Sequence, residues 1–309
     1  MDPHNHHTLN VPISAEQVPE IATRSRCIVE TLAGEFPSRT GIYGPNLERA
    51  AAWIELEFRS LGYKVSLQRY AIRSSGEVKN LIVEKPGLQL DRPCIVLGAH
   101  YDSVPGTPGA DDNASGVAGL LELARLLRDY KNRRTLRFVA FTHEEPPYFY
   151  SSKMGSHVYA KSLKESHAQV EAMISLEMIG YGGSHLEQTY PFPLMRQIGS
   201  YPKRGDFIGV IGNIRSRKLA RFILARMREV CGIGVEGLSG PGFLPPLNLS
   251  DHSSFWRHGY RAVMITDTAF QRNPHYHMAS DSAETLNYDF LAEVARGVYC
   301  AVRALDLMA

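Results

Sequence analysis

Residues Val96 to Gly116 read VLGAHYDSVPGTPGADDNASG. A short, continuous apolar run, Cys94 to Ala99, leads into this stretch, as expected of a strand buried on both faces. His100 and Asp102 follow it, and a glycine- and proline-rich turn then carries Asp111 and Asp112. Ser115 to Tyr130 continues at helical period, with Leu120, Leu123, Ala124 and Leu127 on one side. A second apolar strand, Leu136 to Thr142, closes a β-α-β unit and ends in His143-Glu144-Glu145.

The alternation extends in both directions. A Ser14/Gln17 capping box precedes an amphipathic helix from Val18 to Leu32. A second helix, Leu47 to Leu61, puts Ala51, Ile54, Phe58 and Leu61 on its apolar stripe and stops at Gly62. Strands are expected at Tyr63 to Ile72, Lys79 to Glu84, Ala172 to Met178, Phe207 to Ile211 and Ala262 to Thr266. Helices are expected at Met154 to Glu165, Arg217 to Val230 and Phe290 to Leu307. This order predicts an α/β fold, a three-layer α/β/α sandwich around a central mixed, mostly parallel sheet. Most of the chemistry-bearing residues fall just past the carboxyl end of a strand, where open α/β sheets place their sites.

The chain has 309 residues, 44% of them hydrophobic, and nothing resembling a linker or repeat divides it. Residues 1–13 therefore read as a flexible N-terminal segment and 14–309 as one domain. Lysine and arginine total 34 against 32 acids, a net charge of +2 that speaks against a nucleic-acid partner. The four cysteines, Cys27, Cys94, Cys231 and Cys300, form no C-x-x-C pair and read as buried thiols. The opening MDPHNHHTLNVPISAEQ has no apolar core or small-residue cleavage site. A cytoplasmic protein with no membrane partner is the expectation, periplasmic or secreted only if a leader has been removed. His4, His6 and His7 read as part of a frayed polar terminus.

With thiolates absent from the motifs, imidazole and carboxylates are the donor set expected for zinc. His100 and Asp102, two residues apart on a strand, share a face, so Asp102 can hold the imidazole nitrogen turned away from a metal. A satisfied strand-end histidine explains His-x-Asp alone equally well. GADDNASG can be a polar turn capping a helix, or a rigid carboxylate turn that Ala110, Ala114 and Gly116 let the backbone crowd. Glu144 and Glu145 face opposite ways if the strand persists, so one can bind metal beside the other only if the chain turns. Paired glutamates at a strand end are otherwise solvated charge. No G-x-S-x-G elbow suggests a serine hydrolase.

In combination, GAHYDS, GADDNASG, His-Glu-Glu followed by MGSHVYA, SLEMIG, LSDHSSF and HYHMASD resemble the co-catalytic zinc exopeptidases, from about Gly34 to Tyr288. That group includes bacterial leucyl aminopeptidases, aminopeptidase Y, glutamate carboxypeptidase and glutaminyl cyclases. The resemblance implies two Zn2+ ions, with one possible, and a small peptide as substrate. Asp112 would bridge the ions, His100 and Glu177 would complete one coordination sphere, and Glu145 and His277 the other. Glu144 would be general base and acid toward a metal-bound water, with Asp102 as its catalytic companion. It also implies a cis peptide at Asp112-Asn113.

The family's usual aspartate is replaced by Glu177, one methylene longer, which bears on the first metal. The oxyanion-stabilising tyrosine ahead of Ser-Asp-His is missing from PPLNLSDH, leaving Asn248, Tyr150 or Tyr148 as candidate donors. His275 is expected to be a pocket wall, His143 and His252 structural, and Asp251 a helix N-cap or an orienting group. The segments Pro146 to Tyr150 and Gly240 to Leu249 are expected to wall the specificity pocket. The leading expectation is an aminopeptidase. The alternatives are a single-zinc glutaminyl cyclase and a non-catalytic interaction domain on the same fold, which would not need Glu144. Oligomeric state is not legible.

Overall fold

A computed structural model describes residues 13–42, 44–72, 76–190 and 201–308. His4, His6 and His7 lie outside the described residues. Gln17 accepts from the Ser14 amide at 3.2 Å, closing the expected box, and helix α1 (Val18–Glu30) starts after it with Pro19 in its first turn. Helix α2 (Asn46–Ser60) buries Ala51, Ile54 and Phe58 completely, and Gly62 follows it at φ 86°.

Strands β1 (Val65–Ile72) and β2 (Gly76–Lys85) pair antiparallel, followed by β3 (Cys94–His100), helix α3 (Gly116–Leu127) and β4 (Leu136–Phe141). Helix α4 (Gly155–Glu165), β5 (Val170–Glu177) and a small antiparallel pair, β6 (Gly183–Glu187) with β7 (Arg204–Gly205), come next. The chain ends through β8 (Phe207–Asn213), α5 (Arg217–Arg228), β9 (Gly234–Gly240), α6 (His252–Arg257), β10 (Ala262–Thr266) and α7 (Tyr288–Leu307).

The sheet has eight strands in the order β1-β2-β4-β3-β5-β10-β8-β9. Its centre, β4-β3-β5-β10, is parallel, while β2/β4 and β10/β8 are antiparallel. Side chains of β3 alternate between two cores. Ile95, Leu97 and Ala99 join the large one, with α1, α2, α3, α5 and α7, whereas Cys94 and Val96 join Phe141, Tyr159 and Phe255 opposite, beneath α4 and α6. The expected three-layer mixed sheet is the observed one. Its parallel centre aligns four strand ends, and these deliver the candidate residues.

Three expectations need correction. Strand β9 was not anticipated, because GVEGLSG is glycine-rich and only Val235 in it is buried, so it lacks the apolar run of a core strand. The short helix α6 was likewise missed. The cysteines are all free, but only Cys94 is buried and Cys27 is exposed. Among the described residues no helix is long and apolar enough to cross a membrane.

Candidate metal centre

His100 ends β3, Glu177 ends β5, Glu144 and Glu145 follow β4, and His277 follows β10. Three of the connecting turns require left-handed backbone at non-glycine residues. His143 (φ 57°) and Met178 (φ 48°) bend the chain just past β4 and β5, and His277 (φ 60°) bends the loop that follows β10. The bend at His143 resolves the Glu144/Glu145 question. It breaks the strand so that the Asp102 carboxylate accepts both following amides, Glu144 N at 3.1 Å on Oδ1 and Glu145 N at 3.0 Å on Oδ2.

The Asp111–Ser115 turn carries a cis peptide at Asp112-Asn113, as expected. Asp281 accepts the Asp111 and Asp112 amides on its two oxygens, at 2.9 and 3.1 Å. Asn113 donates to the Leu176 carbonyl and accepts from Met178 N, tying this turn to the end of β5. Asp111 accepts from Gly180 N and Asn273 Nδ2, tying it also to the His277 loop. Close approach demands glycine here. A Cβ on Gly109, at φ 63°, would lie 2.6 Å from the Asp112 carbonyl oxygen, and one on Gly116 would lie 2.6 Å from that of Leu176.

The resulting cluster is compact. His100 Nε2 lies 3.4 Å from Asp112 Oδ1 and 3.3 Å from Glu177 Oε2. His277 Nε2 lies 3.2 Å from Asp112 Oδ2 and 3.2 Å from Glu145 Oε2. Both imidazole nitrogens are buried with no hydrogen-bond partner in good geometry, as is Glu145 Oε1. Buried polar atoms with free lone pairs converging on one point suit a cation-binding site. Two donors each about 2.0–2.1 Å from a tetrahedral ion lie about 3.3 Å apart, so the spacing and the nitrogen/oxygen donor set both fit zinc.

Electrostatics agree. Burial opposes a charge on His277, but Asp112 and Glu145 outweigh it and raise the imidazole to about 10. His100, also buried, is held well above its ordinary value by Glu177, Glu144, Asp102 and Asp112. Burial pushes Glu145 up to about 8, with Asp112 adding to the rise and His277 and His100 resisting it. Burial likewise drives Glu144 well above the usual carboxylate range, against the pull of His100 and with Glu177, Glu145 and Asp251 reinforcing. The clustered carboxylates thus favour positive charge between them, which divalent cations would supply. Glu144 Oε2 stands 3.9 Å from His100 Nε2, within the cluster. Asp102 Oδ1 lies 3.5 Å from His100 Nδ1, on the far side of the ring.

Several residues here escaped the sequence reading. Ser250 Oγ donates to Glu177 Oε2 at 2.6 Å, fixing the longer carboxylate. Tyr276 stacks on the His277 ring, centroids 3.8 Å apart. Arg39 is completely buried and donates to the carbonyls of Tyr101 (2.7 Å), Leu32 (2.9 Å), Pro108 (2.7 Å) and Gly109 (2.7 Å). It clamps the 101–109 turn from behind. Burial lowers its guanidinium to about 10, and Asp281, Asp102, Asp112 and Glu145 resist the fall. A lone arginine in FPSRTG gave no signal of this role.

Other expectations shift. Asp251 precedes α6 without making a side-chain cap bond, and burial raises its carboxyl to about 7. His275 Nδ1 pairs with Ser280 Oγ at 2.9 Å, outside the cluster. The Tyr150 hydroxyl is spent on the Asn248 carbonyl (2.7 Å) and the Asn248 amide on the Gly242 carbonyl (3.2 Å). A cavity adjoins Glu177 and Tyr276. Pro246 and Leu249 line it, but neither His275 nor any residue of Pro146 to Tyr150 does.

His252 is structural, as expected. Its Nε2–H meets the Leu247 carbonyl at 2.8 Å, its ring abuts Trp256, and burial lowers it to about 4, with the Leu247 bond resisting. Since the folded value lies below the ~6.5 of an unfolded histidine, the unfolded chain binds the extra proton between those values. The penalty is absent above pH ~6.5 and grows as pH falls toward 4. Urea titrations should therefore show about 2 kcal/mol more stability lost between pH 7 and 5 in the native chain than in His252→Gln. Equal losses would contradict the assignment.

Comparison with known proteins places the chain. It is 45% identical over 262 residues to the uncharacterized protein YfbL of Escherichia coli K12, covering 82% of this chain and 79% of that one. It is 28% identical over 233 residues to aminopeptidase YwaD of Bacillus subtilis, covering 73% of this chain but only 45% of YwaD. Its fold is shared with the aminopeptidase from Aneurinibacillus sp. strain AM-1, at a TM-score of 0.71 and 18% identity over 94% of this chain and 95% of that one. A glutaminyl cyclase of Porphyromonas gingivalis has the same fold, at a TM-score of 0.67 and 19% identity, covering 91% of this chain and 97% of that one. The pattern of peptidase family M28 matches residues 80–302, the span that holds all seven clustered site residues, and the chain belongs to that family.

Proposed function

We propose that this chain is a zinc-dependent aminopeptidase that removes the N-terminal residue of small peptides, with residues 14–309 as its catalytic unit. The observation that carries the reading is the division of Asp112, whose two oxygens face two different imidazoles at 3.4 and 3.2 Å. A carboxylate so divided suits two cations, with His100 and Glu177 on one and Glu145 and His277 on the other. Bound there, zinc would polarise the scissile carbonyl and acidify the attacking water.

The chain's own groups do the rest. Glu144, 3.9 Å from His100 Nε2 within the cluster, takes the water's proton and returns it to the leaving amine. Asp102 holds the Glu144-Glu145 turn by two amide bonds to its carboxylate, and its backbone carbonyl meets His100 Nδ1 at 3.2 Å, so one residue orients both the base and a ligand. Ser250 keeps Glu177 from swinging away despite its extra methylene.

Hydrolysis of aminoacyl amides is expected with zinc present, loss with a chelator, and recovery when zinc is restored. Metal analysis should return two ions per chain. No chelator-sensitive cleavage across a broad amide panel would overturn the proposal. One ion per chain with ammonia released from glutaminyl peptides would identify a cyclase instead.

A further inference from the structure

The cavity beside Glu177 lies over the end of the sheet where β10, β8 and β9 follow one another. Strands β10, β8 and β9 supply its floor through Met264 and Thr266, Gly209 and Ile211, and Glu236 and Leu238. Their register is informative. Glu177 pairs with Thr266, Thr266 with Gly209, and Gly209 with Glu236, so these four residues form one row across four adjacent strands. Directly paired residues share a face of the sheet. With strands about 4.8 Å apart, the row spans about 14 Å from the candidate metal centre to Glu236.

Each position of the row contributes. Gly209 places no side chain in the middle, so it leaves a trough. The walls are largely apolar and aromatic, including Tyr190, Tyr201 and Phe207. Tyr190 and Tyr201 meet ring to ring at 5.5 Å and spend their hydroxyls on the carbonyls of Pro202 and Gly237, so ring surface is what they offer. Among the described residues, the two charged ones lining the cavity, Glu177 and Glu236, are both acids. Arg228 reaches Glu236 Oε2 at 3.0 Å, and Glu236 remains 27% exposed. A carboxylate has about four acceptor sites, enough for a second cation.

Resting on the aminopeptidase reading, we infer that this trough receives the side chain of the substrate's N-terminal residue and selects lysine or arginine through Glu236. A leucine side chain is too short to reach the far end of the row. A lysine or arginine stem buries its methylenes along the apolar wall and carries its charge to the carboxylate, beside aromatic rings that favour a cation. A charge-assisted hydrogen bond of this kind separates long cationic residues from apolar ones of similar length, such as methionine.

The test uses the zinc-loaded chain and coumarin amides of arginine, lysine, leucine, methionine and phenylalanine. Arginine and lysine should exceed leucine in kcat/KM by at least about tenfold. Glu236→Gln, which keeps the shape at a partly exposed edge strand, should cut that advantage at least tenfold while leaving leucine within about twofold. Calorimetry on the zinc-loaded Glu144→Gln chain gives a reading independent of turnover, with Arg-Gly-Gly binding more tightly than Leu-Gly-Gly. Leucine equal to or better than arginine, or equal effects of Glu236→Gln on both classes, would overturn the inference. If no amide is cleaved but the calorimetric preference persists, the aminopeptidase reading fails and the trough assignment stands.

Discussion

Glu144→Gln is expected to lower kcat by at least about a thousandfold while zinc content and peptide binding stay near those of the native chain. The amide keeps the shape of the side chain but cannot take a proton from water and return it to the amine. Asp102 holds the Glu144 backbone amide, so the turn should survive. Measured kcat, zinc content and peptide calorimetry on one preparation separate these effects. A drop of less than about tenfold would assign the proton transfer to another group. Loss of zinc along with activity would instead make Glu144 a ligand.

The second large effect belongs to Asp112→Asn. Asp112 lies between two imidazoles, and its carboxyl is held far below the ordinary range by His100 and His277 against the opposing effect of burial. Replacing it removes the shared negative charge while leaving both histidines in place. Zinc content should fall from two ions to at most one, and kcat/KM should fall by roughly a thousandfold, consistent with losing several kcal/mol of metal-assisted stabilisation. Two ions retained at full affinity would show that Asp112 does not bridge. Asp111→Asn provides the contrast. Asp111 accepts from Gly180 and Asn273 and contacts no candidate ligand side chain, so its loss acts through loop position.

How much of this was legible in the sequence depended on the range of the forces involved. The β3 run, the α3 stripe and the turn between them are local patterns, and they gave the parallel centre of the sheet along with His100, Asp102 and Asp112. Glu144 and Glu145 were visible as a pair, but their different orientations come from left-handed His143 and the Asp102 carboxylate, a partner 42 residues away from Glu144. Arg39 was invisible for the same reason. Its acceptors are backbone carbonyls from residues 32 to 109, and carbonyls have no sequence signature. Strand β9 lacked periodic apolar residues because one of its faces borders a cavity rather than a core. The row from Glu177 to Glu236 exists only through strand register, so no local pattern encodes it. The specificity wall was expected from Pro146–Tyr150 and Gly240–Leu249; Pro246 and Leu249 of the second line the cavity, and its aromatic lining includes Tyr190, Tyr201 and Phe207 instead of the first segment.

The most direct test of the two-cation centre is a crystal of the zinc-loaded chain measured at the zinc absorption edge. Two anomalous peaks should flank Asp112, one contacted by His100 and Glu177 and the other by Glu145 and His277. A single peak, or peaks away from Asp112, would contradict the assignment.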